Sequence, residues 1–338
     1  MSGDKGSLEP QPNPSYPMTD NRTRKENVTL TERLSRGSIT CVLNGAAGSN
    51  RAHQASDRIA DLFAQHGAQA RIVLSGGGDE VTALARQGIA ENTNLVVAAG
   101  GDGTINGVAA ALIGTKTALG VLPLGTLNHF AKDLKIPLEL EAAVANIFTG
   151  RVTQIDVGEV NGRPFLNNSS LGIYPFIVRQ REKQQSKGRG KWVAFAEAAW
   201  HALLRYSPLY VNLQMDGQHE IADETPFVFI GNNRYQLSGL HIGERASLDA
   251  GKLWVYRAPR ATRTKLLRLA IQAFVGQESP SDLEMFDTEE FWIGAKGRRL
   301  SVATDGEVAV LNTPLHYRSL PRALGVIVPS HDDLQPAI

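Results

Sequence analysis

The chain has few of the features that mark disulfide-rich, membrane-spanning or nucleic-acid-binding proteins. Only one of its 338 residues is cysteine, Cys41, so no internal disulfide can form, and we expect a cytoplasmic protein. No window contains the roughly 20 consecutive apolar residues that a membrane-spanning helix requires. Lysine and arginine number 35 against 34 aspartate and glutamate residues, and this balance argues against a nucleic-acid partner.

The first 37 residues lack the apolar segment of a signal peptide. They are polar, and Pro10, Pro12, Pro14 and Pro17 interrupt them. Such a segment buries too little apolar surface to offset the entropy of ordering, so we predict that residues 1–37 form a disordered tail. The remaining chain is long enough for two domains. It shows no internal repeat, and no motif indicates an oligomeric state.

A glycine-rich turn is the most informative feature that is present. It consists of Gly100, Gly101, Asp102, Gly103 and Thr104. The turn follows the apolar run 95–99 and precedes the apolar segment 105–112, which predicts a strand, a turn and a helix. Glycines and a helix N-terminus together favour phosphate binding. A carboxylate beside phosphate is repulsive unless a divalent cation separates them, so Asp102 predicts a site for a nucleotide with Mg²⁺.

Two further glycine-containing turns follow apolar runs, at residues 44–50 and 123–128. We call residues 100–104 the first glycine turn and residues 123–128 the second glycine turn. Parallel strands end at the same edge of a sheet, so we expect the first and second glycine turns to lie side by side. The residues predicted to bind the nucleotide are Asn44, Gly48, Gly100, Gly101, Asp102, Gly103, Thr104, Asn106, Gly125, Thr126 and Asn128. For the threonines and asparagines, helix capping or bracing of the turns is an open alternative.

The pattern of apolar residues changes near residue 157. Before it, apolar runs without polar alternation are separated by helical periodicity, which predicts an α/β domain with a parallel sheet. After it, Asn-Gly and Asp-Gly turns separate strand-like segments, which predicts a mainly antiparallel β region. The predicted domains are residues 38–157, to which residues 319–332 return, and residues 158–318.

Three motifs together resemble the diacylglycerol kinase catalytic-domain family of soluble lipid kinases, which includes the sphingosine kinases and is distantly related to the NAD kinases. They are residues 100–104, residues 124–128 with the following Phe130-Ala131, and the Asp-Gly-Glu sequence of residues 305–307. The resemblance extends from about residue 38 to residue 329. It implies an NAD-kinase-like parallel sheet with a β-rich lipid-substrate domain, ATP and Mg²⁺ as co-substrate and cofactor, and a lipid hydroxyl as acceptor.

The resemblance also implies roles for three acidic residues. Glu307 would be the general base, Asp305 would orient it or join a metal network, and Asp102 would hold Mg²⁺ through water. Two short apolar runs flank residues 304–307, so the residues by themselves also allow an exposed β-turn with solvated acids.

The chain departs from the family pattern at three positions. His129 follows Asn128 where many relatives have an aspartate, so that carboxylate's contact is missing or is replaced by the imidazole. Ala250 stands where relatives have an aspartate that helps to bind a structural cation, and Asp249 is the candidate to substitute for it. Gly45 stands where relatives usually have proline.

The expected acceptor is diacylglycerol, which would give phosphatidate and place the enzyme in phospholipid biosynthesis. Phosphatidylglycerol, a monoacylglycerol and a sphingoid base are alternative acceptors. An NAD kinase relative is disfavoured by residues 305–307 and by the second glycine turn. A nucleotide-binding regulator with lost or weak catalysis is the non-enzyme alternative.

A basic segment followed by an amphipathic pattern predicts contact with the lipid surface. Its cationic residues are Arg179, Arg181, Lys183, Lys187, Arg189 and Lys191. Trp192, Trp200 and Leu203 recur at helical spacing after them. Residues 179–204 are therefore predicted to dock peripherally on the inner face of the membrane. The alternative is a solvated loop followed by a core helix.

Overall fold

The structure is a computed structural model that describes residues 38–45, 49–172, 209–215, 219–238, 241–245, 247–258, 283–295 and 297–330. The predicted tail of residues 1–37, Gly48 and the predicted membrane-contact segment 179–204 lie outside these residues. Among the described residues, no helix combines the length and the apolar character that crossing a bilayer would take.

Helices occur only in the first part of the described chain. They are α1 (Ser49–Gln65), α2 (Asp79–Ala90), α3 (Asp102–Leu112), α4 (His129–Asp133) and α5 (Leu140–Thr149). The strands are β1 (Ile39–Asn44), β2 (Ala70–Ser75), β3 (Leu95–Gly100), β4 (Ala118–Pro123), β5 (Arg151–Val160), β6 (Arg163–Phe165), β7 (Asn168–Gly172), β8 (Leu209–Met215), β9 (His219–Thr225), β10 (Phe227–Asn232), β11 (Tyr235–Ser238), β12 (His241–Arg245), β13 (Leu253–Arg257), β14 (Glu284–Thr288), β15 (Glu290–Ala295), β16 (Arg299–Thr304), β17 (Glu307–Asn312) and β18 (Leu315–Val328).

Strands β1 to β4 form the parallel sheet that the apolar runs predicted. Their order is β2-β1-β3-β4, and each neighbouring pair is parallel. Alternate residues of β1 face opposite sides of this sheet. Cys41 and Leu43 pack in the cluster that includes α1 and α5, whereas Val42 packs in the cluster that includes α2 and α3. Both faces of β1, β3 and β4 are buried, which explains why these strands lack polar alternation, whereas the edge strand β2 is partly exposed.

The last strand, β18, connects the parallel sheet to the antiparallel strands. Near its end Val326 pairs in parallel with Leu119 of β4, and near its start Tyr317 pairs with Phe291 of β15. Along most of its length β18 also pairs with β5, with a register irregularity between Leu320 and Leu324. The main sheet therefore continues from β4 through β18 into β15, β8 and β9. The domain limits at residues 157 and 158 stay a prediction.

A second, antiparallel sheet packs against this extension. Its strand order is β14-β13-β10-β7-β16-β17. Leu171 and Val228 of this sheet share a buried cluster with Phe291 and Tyr317 of the first, and the rings of Phe291 and Tyr317 stack with centroids 5.0 Å apart. The predicted mainly antiparallel β region is confirmed.

A buried carboxylate fastens the loop before β13 to β5 and β18. Asp156 of β5 is fully buried. Its oxygens accept hydrogen bonds from the backbone N–H groups of Gly251 at 2.6 Å and Arg322 at 2.9 Å, and from the side chain of Asn233 at 3.1 Å. Such donors offset the cost of removing the charge from water.

We predict that Asp156→Ala lowers the free energy of unfolding by about 3 kcal/mol, because two backbone N–H groups and the buried Asn233 amide lose their acceptor. Urea unfolding followed by circular dichroism measures the change. Asp249→Ala is the matched control, since Asp249 is exposed and accepts a hydrogen bond from Ser247 in the same loop. The control should cost less than about 0.5 kcal/mol. Equal losses in the two variants would contradict the assignment of Asp156 as the fastening group.

Candidate active site

The first and second glycine turns lie side by side, as the sequence predicted. Gly100, at the end of β3, pairs with Pro123 at the end of β4, and its carbonyl accepts the N–H of Leu124 at 3.0 Å. A Cβ atom on Gly125 would lie 2.5 Å from the Cα atom of Gly101. Only glycine allows this approach, because a real Cβ atom needs more than 3.0 Å.

Thr104 is a packing residue of the first turn rather than its helix cap. The N-cap of α3 is Gly101, whose carbonyl accepts the N–H groups of Thr104 at 2.9 Å and Ile105 at 3.1 Å. The Thr104 side chain folds back over Gly100, where an added Cβ atom would lie 2.4 Å from Thr104 Oγ1. The capping alternative is therefore wrong for Thr104.

Asn128 braces the second turn. Its backbone is left-handed, with φ of 51°. Its Oδ1 atom accepts the N–H of Gly125 at 3.1 Å, and its Nδ2 atom donates to the carbonyls of Pro123 at 3.2 Å and Gly125 at 2.9 Å. Asn128 precedes α4 but makes no side-chain capping bond to it. Of the roles predicted for this amide, the structure shows the bracing role.

The carboxylate of Asp102 points to the second turn. Its two oxygens accept the backbone N–H groups of His129 and Phe130, each at 3.3 Å. A divalent cation is therefore not the only group that makes an acid tolerable here, because Asp102 has donors within the protein. The contact at position 129 is made by the backbone, while the His129 residue is exposed.

Glu307 reaches the first glycine turn from the second sheet. Strands β16 and β17 are joined by Asp305 and Gly306, with φ of 48° and 88°, as a tight hairpin turn requires. A Cβ atom on Gly103 would lie 3.3 Å from Glu307 Oε1, so the two residues are in close proximity. Glu307 is exposed, as expected for a group that faces an open cleft.

Asp305 anchors this hairpin to the segment between β6 and β7. Its carboxylate accepts the N–H groups of Leu166 at 2.7 Å, Asn167 at 2.8 Å and Asn168 at 3.0 Å. Burial raises the pKa of Asp305 to about 6, although these hydrogen bonds and the charge of Arg245 act to lower it. Asp305 thus holds the hairpin that carries Glu307, and the role that the resemblance implies for Asp305 stays a prediction.

An open cleft of about 450 Å³ lies between the first glycine turn and this hairpin. Seven of the residues predicted from sequence line it: Asn44, Gly101, Gly103, Thr104, Asn106, Asp305 and Glu307. Gly100 lies beneath Thr104. The other predicted residues that the structure describes, which do not line the cleft, are Asp102, Gly125, Thr126, Asn128 and Asp249.

Two parts of the cleft wall escaped the sequence reasoning. Gly77 and Gly78 line it and have positive φ angles of 99° and 61°. Three consecutive glycines after an apolar run could have identified this turn. Arg163, beside the Asn-Gly turn of the β5–β6 hairpin, carries the positive charge among the described residues that line the cleft. The sequence identified this hairpin, but nothing in it placed the hairpin at the site.

Asp102 is the predicted metal ligand that lies in the first glycine turn. No group of three or more histidine, cysteine, aspartate or glutamate side chains in the described part of the chain could hold a metal ion alone. Mg²⁺ usually takes one or two carboxylates, with waters and substrate phosphates completing its coordination. Asp102 beside the two glycine turns fits that pattern, whereas Asp249 bonds locally to Ser247.

Comparisons with known proteins cover most of the chain. The family model of the diacylglycerol kinase catalytic domain matches residues 38–160, and that of the YegS C-terminal NAD kinase beta sandwich-like domain matches residues 177–328. A Mycobacterium tuberculosis protein named diacylglycerol kinase is 27% identical over 300 residues, covering 87% of this chain and 96% of the relative. A Pectobacterium atrosepticum protein named "Probable lipid kinase YegS-like" is 30% identical over 242 residues, covering 67% of this chain and 78% of the relative.

The fold is shared with a solved structure. The crystal structure of a diacylglycerol kinase from Bacillus anthracis has a TM-score of 0.64 and 20% identity to this chain, covering 86% of this chain and 97% of the other. The similarity confirms the predicted fold class, an α/β region with a parallel sheet followed by an antiparallel β region.

We predict a pH dependence of stability that originates from Asp305. Its pKa is about 6 in the folded chain and 3.8 ordinarily, so the folded chain keeps a proton that the unfolded chain loses across this interval. The contribution of Asp305 to the free energy of unfolding is therefore largest at the acidic end and decreases as the pH rises to about 6.

Urea unfolding of the wild type and of Asp305→Asn over this interval tests the prediction. Asparagine does not titrate, so the difference between the two free energies of unfolding should change across the interval and become constant above it. A constant difference throughout would show that Asp305 keeps its ordinary pKa.

Proposed function

The chain belongs to the diacylglycerol kinase catalytic-domain family of lipid kinases, and from this premise we propose that it transfers the γ-phosphate of ATP to diacylglycerol, with Mg²⁺. The observation that carries the proposal is the proximity of the Glu307 carboxylate to Gly103 of the first glycine turn. This proximity supports a role for the Glu307 carboxylate as a proton acceptor beside a turn suited to phosphate. Phosphatidylglycerol, a monoacylglycerol and a sphingoid base remain the alternative acceptors.

The nucleotide would bind along the glycine-rich wall of the cleft. Gly101 and Gly103 leave the backbone of the first turn open to an anion, and the N-terminus of α3 adds a favourable dipole. Asn44 and Asn106 line the same wall. The Oδ1 atom of Asn106 is buried without a hydrogen-bond partner in the protein, so a donor group of the nucleotide would satisfy it.

Glu307 would accept the proton of the lipid hydroxyl. The hydroxyl oxygen forms a bond to the γ-phosphorus while the bond from that phosphorus to the β,γ-bridging oxygen breaks, and ADP leaves. A lipid alcohol has a high pKa, so the proton moves to the carboxylate as the new bond forms, which contributes about 10²–10⁴-fold to the rate. Asp305 holds the hairpin that presents Glu307 and stays bonded to backbone N–H groups.

Positive charge at the phosphates would come from Mg²⁺ and from the Arg163 side chain. Asp102 is the residue that would hold Mg²⁺ through water, and the ion would neutralise phosphate charge when bound with the nucleotide. The N–H groups of His129 and Phe130 fix the Asp102 carboxylate in orientation. Arg163 lines the cleft opposite the glycine turns and would contact the phosphoryl group during transfer.

Transfer of labelled γ-phosphate from ATP to a panel of lipid alcohols tests the function. We predict labelling of diacylglycerol, and a loss of about 10²–10⁴-fold in kcat for Glu307→Gln, because the amide cannot accept the proton. Glu224→Gln is the matched control, since Glu224 is exposed on β9 and does not line the cleft.

Three other outcomes of this assay would each change a different part of the proposal. Preferential labelling of another lipid would replace diacylglycerol by that acceptor. Full activity in Glu307→Gln would remove the base assignment. Binding of ATP without transfer to any lipid would favour the nucleotide-binding regulator.

We predict that ATP binds more tightly with Mg²⁺ than with a chelator, and that Asp102→Asn removes most of this difference. A tenfold change, about 1.4 kcal/mol, is the expected size. Isothermal titration calorimetry measures both affinities. Asp249→Asn is the control, because Asp249 is exposed in the loop before β13, where it bonds to Ser247, and should leave the Mg²⁺ dependence unchanged. Equal affinity with and without Mg²⁺ would overturn the proposed role of Asp102.

A further inference from the structure

A buried arginine lies between α4, which follows the second glycine turn, and residues 166–168, which hold the Glu307 hairpin. The Arg245 side chain, at the end of β12, is only 1% exposed. Its Nε atom donates to Asp133 Oδ2 at 2.9 Å. Its Nη1 atom donates to the carbonyls of Leu166 at 2.6 Å and Asn232 at 3.1 Å, and its Nη2 atom to Asn167 Oδ1 at 3.1 Å.

The partners of Arg245 lead to the active site in two directions. Asp133 is the last residue of α4, and the first N–H groups of α4 hold the carboxylate of Asp102. Leu166 and Asn167 belong to the segment whose N–H groups hold Asp305, two residues before Glu307. One connection runs through α4 and the other through residues 166–168, and each ends in hydrogen bonds from backbone N–H groups to a carboxylate.

These contacts form a closed ring with the cleft. It runs from Asp102 through α4 to Arg245, and from there through residues 166–168 and Asp305 to Glu307. Glu307 then returns to the first turn at Gly103, next to Asp102. A planar guanidinium with donors fixed in one plane holds its partners at set distances, which a flexible ammonium group does not.

We propose that Arg245 is a positioning residue for phosphoryl transfer, which fixes the Glu307 hairpin relative to the two glycine turns through Asp133 and the backbone of residues 166–168. The inference rests on the proposed function. Arg245 does not line the cleft and acts through other residues. A displacement of the base by about 1 Å is enough to lower a rate about 10²-fold, so such a residue affects turnover without touching substrate.

Arg257 provides a matched control within the antiparallel region. Its side chain is also buried, at 6% exposed, and it pairs with Glu284 at 2.5 Å and with Asp223 at 3.7 Å. None of these three residues lines the cleft. Replacing either arginine by lysine keeps the charge and removes the planar fork. Both variants should lose stability, and only Arg245→Lys should disturb the hairpin.

The test compares Arg245→Lys, Arg257→Lys and the wild type. For Arg245→Lys we expect kcat to fall by about 10- to 100-fold with little change in the KM for ATP, because the base moves while the first glycine turn stays in place. We also expect faster amide hydrogen exchange in residues 166–168 and 304–307. For Arg257→Lys we expect a lower Tm with unchanged kcat and unchanged exchange in those segments.

Hydrogen exchange separates this inference from the proposed function. If the wild type transfers phosphate and Arg245→Lys matches Arg257→Lys in kcat and exchange, Arg245 is purely structural and the inference fails. If the wild type transfers none, the proposed function fails and the role in transfer fails with it, while selective exchange in residues 166–168 and 304–307 still decides whether Arg245 holds the Glu307 hairpin. Should Arg245→Lys not fold, Asp133→Asn replaces it, because it removes only the ionic partner on α4.

Discussion

Three backbone N–H groups converge on the Asp305 carboxylate and hold the hairpin that forms one wall of the cleft, facing the first glycine turn. Leu166, Asn167 and Asn168 donate to this one side chain at 2.7–3.0 Å. The same hairpin end is also held by the pairing of Thr304 with Ser169 of β7 and by the bond from the Asp305 N–H to the Asn168 carbonyl at 2.9 Å. Glu307 is exposed at the end of this anchored hairpin, and its carboxylate lies beside Gly103.

The same device recurs at a second position. Asp156 accepts two backbone N–H groups and an asparagine amide, and so joins β5 to the loop before β13 and to β18. In both places a carboxylate replaces water as the acceptor for backbone donors that are not used within a strand. Such bonds specify which segments meet, because a buried polar group that loses its partner is costly. Hydrophobic burial therefore stabilises the layers, and the buried acids fix their alignment.

Strands, turns and hairpins that depend on neighbouring residues could be predicted from the sequence. Contacts between residues far apart in the chain could not. The apolar runs of β1, β3 and β4, the glycine turns after them and the Asn-Gly hairpin are local patterns, and each was found. The partners of Asp102, the amide of Asn128 folded onto its own turn, and Arg163 at the cleft depend on how separate elements approach. Glu307 could be assigned a role only from the resemblance, because its local pattern is that of an ordinary turn. The continuous pairing of β18 with β4, β5 and β15 likewise has no local sequence signal.

At positions 129 and 250, where the chain departs from the family pattern, backbone N–H groups rather than side chains make the local hydrogen bonds. At position 129 the N–H group, and not the imidazole, meets the Asp102 carboxylate, so replacing an aspartate side chain there leaves this contact intact. Near Ala250 the loop is held through the N–H of Gly251 on Asp156 and through the N–H of Ala250 on Asn233 Oδ1, and neither bond depends on the side chain at position 250. An N–H donor is present whichever residue other than proline occupies the position. Because the backbone provides these contacts, the chain can lose both acidic side chains and still keep the alignment of its glycine turns, its loop before β13 and its Glu307 hairpin.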